Sequence, residues 1–174
     1  MRQRRLGPRF VLIVAIAALA AAASTGPGQR GATGTARRGY EPAIAFPQGY
    51  RQWTHVKSAL LWPSTPENET FSGLHNIYAD EAAMTGYRTG TFPERSVIVF
   101  DLFDLEAVGG GLEPGRRKSV DVMVRDSSAR GGWRFERFRE GRPTDRVDDR
   151  TRTLCLECHL AERDGDGVFS TFVE

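Results

Sequence analysis

The sequence predicts an α+β domain dominated by one antiparallel sheet, with short helices around it. Three observations carry this. The segments RSVIVFDLFDL, KSVDVMVRD and GGWRFERF are rich in Val, Ile, Phe and Trp and follow one another with turn residues between them. A fourth stretch, FSGLHNIYA, alternates as a strand does. The segments with helical spacing are short.

The elements follow in order. Arg2, Arg4, Arg5 and Arg9 come first, then an apolar run from Phe10 to Ala23, then small residues. This is the pattern of a secretory signal peptide over residues 1–23, with an A-x-A site at Ala21 to Ala23. The run is short for a membrane span, which takes about 20 apolar residues. An uncleaved N-terminal anchor is the alternative. Residues 24–42, rich in Gly, Thr, Ser and Arg, read as a flexible leader, and the folded domain as residues 43–174.

Within the domain, Tyr50, Trp53 and Val56 recur at helical spacing in YRQWTHVKSAL and predict a first helix. WPSTPENET is a loop with two prolines. After the strand FSGLHNIYA, DEAAMTGYRTG predicts a short helix capped by Asp80, with Gly86 and Gly90 weakening its end. The three clear strands come next, the first two joined by VGGGLEPGRR as a hairpin loop. REGRPTDRVDDR is a charged connection, and a short helix in TLCLECHLAERDGDGVFSTF closes the chain.

Composition narrows the function classes. Hydrophobic residues make up 40% and aromatics 10%, enough for a packed core. The chain has 24 Lys and Arg against 22 Asp and Glu, but seven of the arginines lie in the first 38 residues, and the remainder is acidic. Nucleic acid is therefore not an expected partner. A membrane is expected only through the signal peptide. The predicted location is the periplasm, an oxidising compartment.

Only two cysteines occur, Cys155 and Cys158, with His159 directly after. A disulfide would close a very small loop and constrain the unfolded chain little. A thioredoxin-like pair normally opens a helix after a buried strand, and no such strand precedes this one. Zinc needs three or four ligands, and only His55 and His75 remain as further good donors. The reading that uses all three residues is covalent haem c. In C-x-x-C-H the thiols add to the two vinyl groups and the histidine becomes the proximal iron ligand. The predicted cofactor is thus covalent haem c with its iron on His159. Met84 and Met123 are the only methionines beyond Met1, and each sits where a packed side chain is expected.

A C-terminal C-x-x-C-H after a β-rich domain resembles the cytochrome P-460 and cytochrome c′-beta family. The likeness runs from Tyr50 to Phe172, through YRQW, LHNIYAD, FPERSVIVFDL, VDVMVRD, GGWRFERF and CLECHLAERDGDGVFSTF. It implies a homodimer with one haem c per subunit, His159 as proximal ligand and a vacant sixth position. In the P-460 branch a lysine cross-linked to the porphyrin supports hydroxylamine oxidation. The matching position here is Phe100. The c′-beta branch caps the distal face with two phenylalanines, matched by Phe100 and Phe71. Such a cap offers a ligand no hydrogen-bond donor and suits neutral diatomics such as NO and CO.

The resemblance also aligns Asp121 with a distal carboxylate that accepts protons, whose pKa burial would raise if it faces the haem. A solvent-facing strand residue is the alternative. His75 aligns near a haem propionate, with a satisfied core histidine as its alternative. Lys57, Arg116, Arg117 and Arg125 are further propionate candidates, or ordinary solvated charges. The leading expectation is an exported monohaem cytochrome with five-coordinate haem that binds NO or a related gaseous or nitrogenous ligand, with single-electron exchange with a redox partner protein. The alternatives are an oxidoreductase acting on hydroxylamine and a six-coordinate electron carrier.

Overall fold

The computed structural model describes residues 43–62, 66–162 and 166–174, the side chains of residues 66–68 apart. The expected signal peptide and leader lie outside the described residues. Five strands form one antiparallel sheet in chain order: β1 (Thr54–Leu61), β2 (Gly73–Ala79), β3 (Val97–Val108), β4 (Gly111–Arg125) and β5 (Trp133–Arg139). Helix α1 (Glu81–Thr89) joins β2 to β3, and α2 (Asp149–Ala161) packs against β5.

The helix expected over YRQWTHVKSAL is not there. Tyr50–Gln52 makes one 3₁₀ turn, Trp53 is extended, and the chain continues as β1. The spacing misled because its apolar residues serve opposite faces of the sheet. Tyr50 and Trp53 pack with Val99, Val120, Val122 and Phe138 on one face. Val56 packs with Ile77, Ala79, Ile98 and Met123 on the other. A bulge between His55 and Lys57 turns Val56 to that side.

The other elements match their sequence signals more closely. Asp80 caps α1, its Oδ1 accepting from Ala83 N–H at 2.7 Å. Gly90 ends the helix at φ 78°. Gly86 does not weaken the end. It lets Phe92 lie against the helix, where an added Cβ would stand 2.2 Å from Phe92 Cδ1. The expected loop VGGGLEPGRR shrinks to Gly109 and Gly110, at φ 57° and 87°. Positive φ at both central positions suits a tight hairpin turn, so pairing resumes at Gly111 and both strands run long.

Two charged clusters hold the outer face and the C-terminal helix. Asp101 is fully buried, receives Tyr50 O–H at 2.7 Å and Arg51 Nη2 at 2.7 Å, and forms an ion pair with Arg117, whose Nε stands 2.8 Å from Oδ1. Burial, then the hydrogen bond and charge of Asp101, push the Tyr50 phenol up to about 12. Glu136, buried on β5, receives Arg146 Nη1 at 2.7 Å and Arg152 Nη1 at 3.1 Å. Arg152 lies on α2, so this carboxylate ties the helix to the sheet. Asp148 caps the same helix through Thr151 N–H at 2.9 Å.

Candidate functional site

The site lies between α2 and the sheet face that carries Ile77, Phe100, Asp121 and Arg137. These four are successive cross-strand neighbours on β2, β3, β4 and β5, and directly paired residues share a face. A cleft of about 450 Å³ opens beside them, lined among others by Phe71, Lys118, Arg137, Arg139 and, on α2, Thr151 and Leu154.

On the α2 side, Cys155 and Cys158 are free thiols one helical turn apart, half-buried and exposed respectively. Burial, then the charge of Asp121, push the Cys155 thiol up to about 11. Among the described residues no three His, Cys, Asp or Glu side chains are grouped to hold a metal ion.

His159 is held from three sides. Its Nδ1 lies 2.6 Å from the Gly167 carbonyl oxygen. A carbonyl only accepts, so Nδ1 carries the proton and a neutral ring keeps its lone pair on Nε2. Burial lowers the His159 pKa, against the opposing pull of Gly167 and Asp121, and so favours the neutral ring. Phe135 and Phe169 flank it, with ring centroids at 4.7 Å and 4.8 Å.

Local folding explains why Gly167 is there. Asp166 offers its carbonyl to Trp133 Nε1 at 2.7 Å, Tyr87 and Ser170 share a hydroxyl hydrogen bond of 2.7 Å, and Val173 N–H bonds to Val56 at 3.1 Å. The segment after α2 is thereby tied back across the sheet.

On the sheet side, Asp121 is not a lone buried acid. Arg137 grips it at both oxygens, Nε to Oδ1 at 2.7 Å and Nη2 to Oδ2 at 2.5 Å. The guanidinium carbon stands 4.4 Å from the centre of the Phe71 ring. No ring contact joins Phe71 to Phe100 among the described residues. Asp121 of the ion pair is the cross-strand neighbour of Phe100, and Arg137 packs against Phe71. His75 is buried and gives its Nε2 proton to the Phe71 carbonyl at 2.6 Å. Burial lowers its pKa. Lys118 bonds to the carbonyls of Glu69 and Ser72, at 3.0 Å and 2.9 Å.

Of the expected propionate candidates, Arg116 alone reaches the cleft lining. Arg117 is committed to Asp101 on the opposite face, and Arg125 to Gly132 and the Trp133 ring. Lys57 faces the Phe100 row from the edge strand, paired with Ile77. Met84 and Met123 are buried in the core below, as their settings predicted.

Residues 47–170 match the family described as Cytochrome P460. The chain belongs to that family. No curated protein matches it at a significant level. As a member of the cytochrome P460 family the protein is a haem-binding cytochrome, and its five-stranded antiparallel sheet with a C-terminal helix agrees with the expected fold.

The residues present fit the group this cytochrome implies. His159 presents a bare Nε2, Cys155 and Cys158 have the spacing of haem attachment, and no α2 side chain is fully buried against protein. Arg116, Lys118 and Arg139 put positive charge in the cleft, suited to propionates. Sequence reasoning missed Arg137, Arg139, Phe135 and Phe169 as site residues. Alternation put Phe135 and Arg137 on one face of β5, but nothing in the sequence said which face the cleft would occupy.

Proposed function

We propose that this cytochrome P460 family member is an exported, periplasmic monohaem c-type cytochrome that binds NO or a similar small ligand at five-coordinate iron. Cys155 and Cys158 would tether the ring, His159 Nε2 would hold the iron, and the Phe71–Phe100 side would receive the ligand. Haem supplies the ligand-binding iron and a store for one electron. The chain's own part is to orient His159 through Gly167, to exclude water with aromatic rings, and to leave the opposite face without a protein ligand. A redox partner protein and a homodimeric assembly belong to the same reading.

The observation that carries it is Phe100. It stands in the Phe100–Asp121–Arg137 row, where the resemblance puts a lysine in hydroxylamine-oxidising relatives. A phenyl ring cannot form that cross-link. Optical spectra of the purified holoprotein test the proposal in the ferric, ferrous and NO-bound states. The expected result is covalent haem c, high-spin ferric iron and NO uptake by the ferrous form. A ferrous form that binds neither NO nor CO overturns it.

One observation favours the hydroxylamine-oxidising alternative: Asp121, a carboxylate, sits in the same row. That reading requires a lysine–porphyrin cross-link, visible in the intact mass and as a red-shifted ferrous Soret band. A low-spin ferric spectrum without added ligand would instead favour a six-coordinate electron carrier.

A further inference from the structure

We propose that Arg137 is a hydrogen-bond donor to the bound ligand, so that the pocket takes small anions at ferric iron as well as neutral diatomics. This rests on the reading above that the ligand binds on the Phe71–Phe100 side. Two phenyl rings alone would make a purely apolar cap, but the structure sets a guanidinium against one of them, Phe71.

A guanidinium has five N–H donors in a planar fork and does not lose its proton. Arg137 commits Nε and one Nη2 proton to Asp121. No described residue accepts from Nη1. The side chain is 6% exposed and lines the cleft. Nη1 is not among the sealed polar atoms of the described residues, so this donor opens to the cleft, where a ligand could take it up. The Phe71 ring covers one side of the guanidinium at 4.4 Å.

Toward α2 the guanidinium shares the cleft with Thr151 and Leu154 of that helix. The guanidinium thus touches Phe71 and opens to the cleft that the haem-attachment helix also lines. A propionate is the competing occupant. Arg116 and Arg139 suit that role better, with side chains 71% and 49% exposed, because a carboxylate there keeps much of its hydration. Arg137 is the deep cation, and Asp121 balances its charge without using all its donors.

Fluoride titration of the ferric holoprotein and the C–O stretching frequency of the ferrous CO form read the donor directly. Arg137→Met is expected to weaken fluoride binding by about tenfold or more and to raise the C–O stretch. CO affinity should stay within about threefold. Arg137→Lys should recover part of the fluoride affinity. Asp121→Asn keeps the guanidinium and removes a competing anion, so it should tighten fluoride binding and hold the stretch low.

A folded, haem-loaded Arg137→Met protein with unchanged fluoride affinity and C–O stretch overturns the proposal. If that variant fails to fold, Asp121→Asn decides, and fluoride binding that is unchanged or weaker overturns it. A wild-type protein that binds neither CO nor fluoride instead fails the underlying reading of an open iron site. That result differs from wild-type CO binding with fluoride affinity indifferent to Arg137.

Discussion

His159 and Gly167 meet across the turn that follows α2, with Nδ1 giving its proton to the glycine carbonyl at 2.6 Å. A hydrogen bond at this position fixes the tautomer and makes Nε2 a stronger donor to iron. The carbonyl owes its position to the neighbouring Asp166 carbonyl, which Trp133 Nε1 holds at 2.7 Å. Trp133→Phe should therefore loosen the turn and weaken the His159 bond. The expected outcome is a more positive reduction potential in a redox titration, with about 1–3 kcal/mol lost in denaturant unfolding. A stability loss with an unmoved potential would show that the turn keeps its place without the indole.

Glu136 links the sheet to the haem-attachment helix through Arg152 and receives Arg146 as well. Its side chain is 5% exposed, while both arginines are about one-third exposed. Removing the carboxylate leaves two cations facing each other across its place. Glu136→Leu should cost about 2–4 kcal/mol, toward the low end of one-sided removal of a buried pair because the arginines can turn to water. It should also lower the haem-to-protein ratio of the purified product. A normal ratio with normal stability would mean that α2 is held by its cap and its other contacts.

Alkali should unfold the protein through two tyrosines. Burial pushes both Tyr50 and Tyr87 from 10.0 up to about 12, the first with the help of Asp101. A raised folded-state value means that the native state holds the proton more tightly than the unfolded chain. The stabilisation is complete below pH 10 and is lost as pH rises from 10 towards about 12. Unfolding free energies measured across that window should fall steeply in the wild type and less in Tyr50→Phe. Equal slopes for the two proteins would refute the assignment.

Histidine 75 gives the opposite window. Burial lowers its pKa, so the stabilisation of the neutral ring is present above 6.5 and is lost as pH falls below it. Its Nε2 proton also holds the Phe71 carbonyl at 2.6 Å. His75→Gln can keep that donor without titrating, and should flatten the acid side of the stability curve while leaving CO association unchanged. His75→Leu should speed CO association by releasing Phe71, as flash photolysis would read.

Phe100 gives the most direct test of the pocket. It is half-buried and packs against the core cluster that contains Ile77 and Ile98. Phe100→Ala should cost about 1–3 kcal/mol, below the figure for a fully buried ring. It should also raise the association rates of NO and CO in stopped-flow measurements. Rates that do not move would place the ligand on another side of the haem.

The strands were legible because Val, Ile and Phe dominate them, and α1 because Asp80 and Gly90 are strong end signals. The false helix at Tyr50–Val56 shows where such reading stops. Spacing reports that residues are apolar, not which of two sheet faces they will meet. Asp121 makes the same point for the site: its strand was clear, but its partner Arg137 lies 16 residues away on β5. That pairing depends on register, and register is set by the whole ladder from Ser119↔Arg139 to Arg125↔Trp133.

The sequence by itself determined the family, the sheet and the C-x-x-C-H motif at Cys155, Cys158 and His159, because each is written in contiguous residues with fixed spacing. Only the tertiary structure decided how His159 is turned and which cation packs against Phe71. Those outcomes depend on contacts between distant segments, Gly167 to His159 and Arg137 to Asp121 and Phe71, made when the sheet closes its register and the tail is tied back across it.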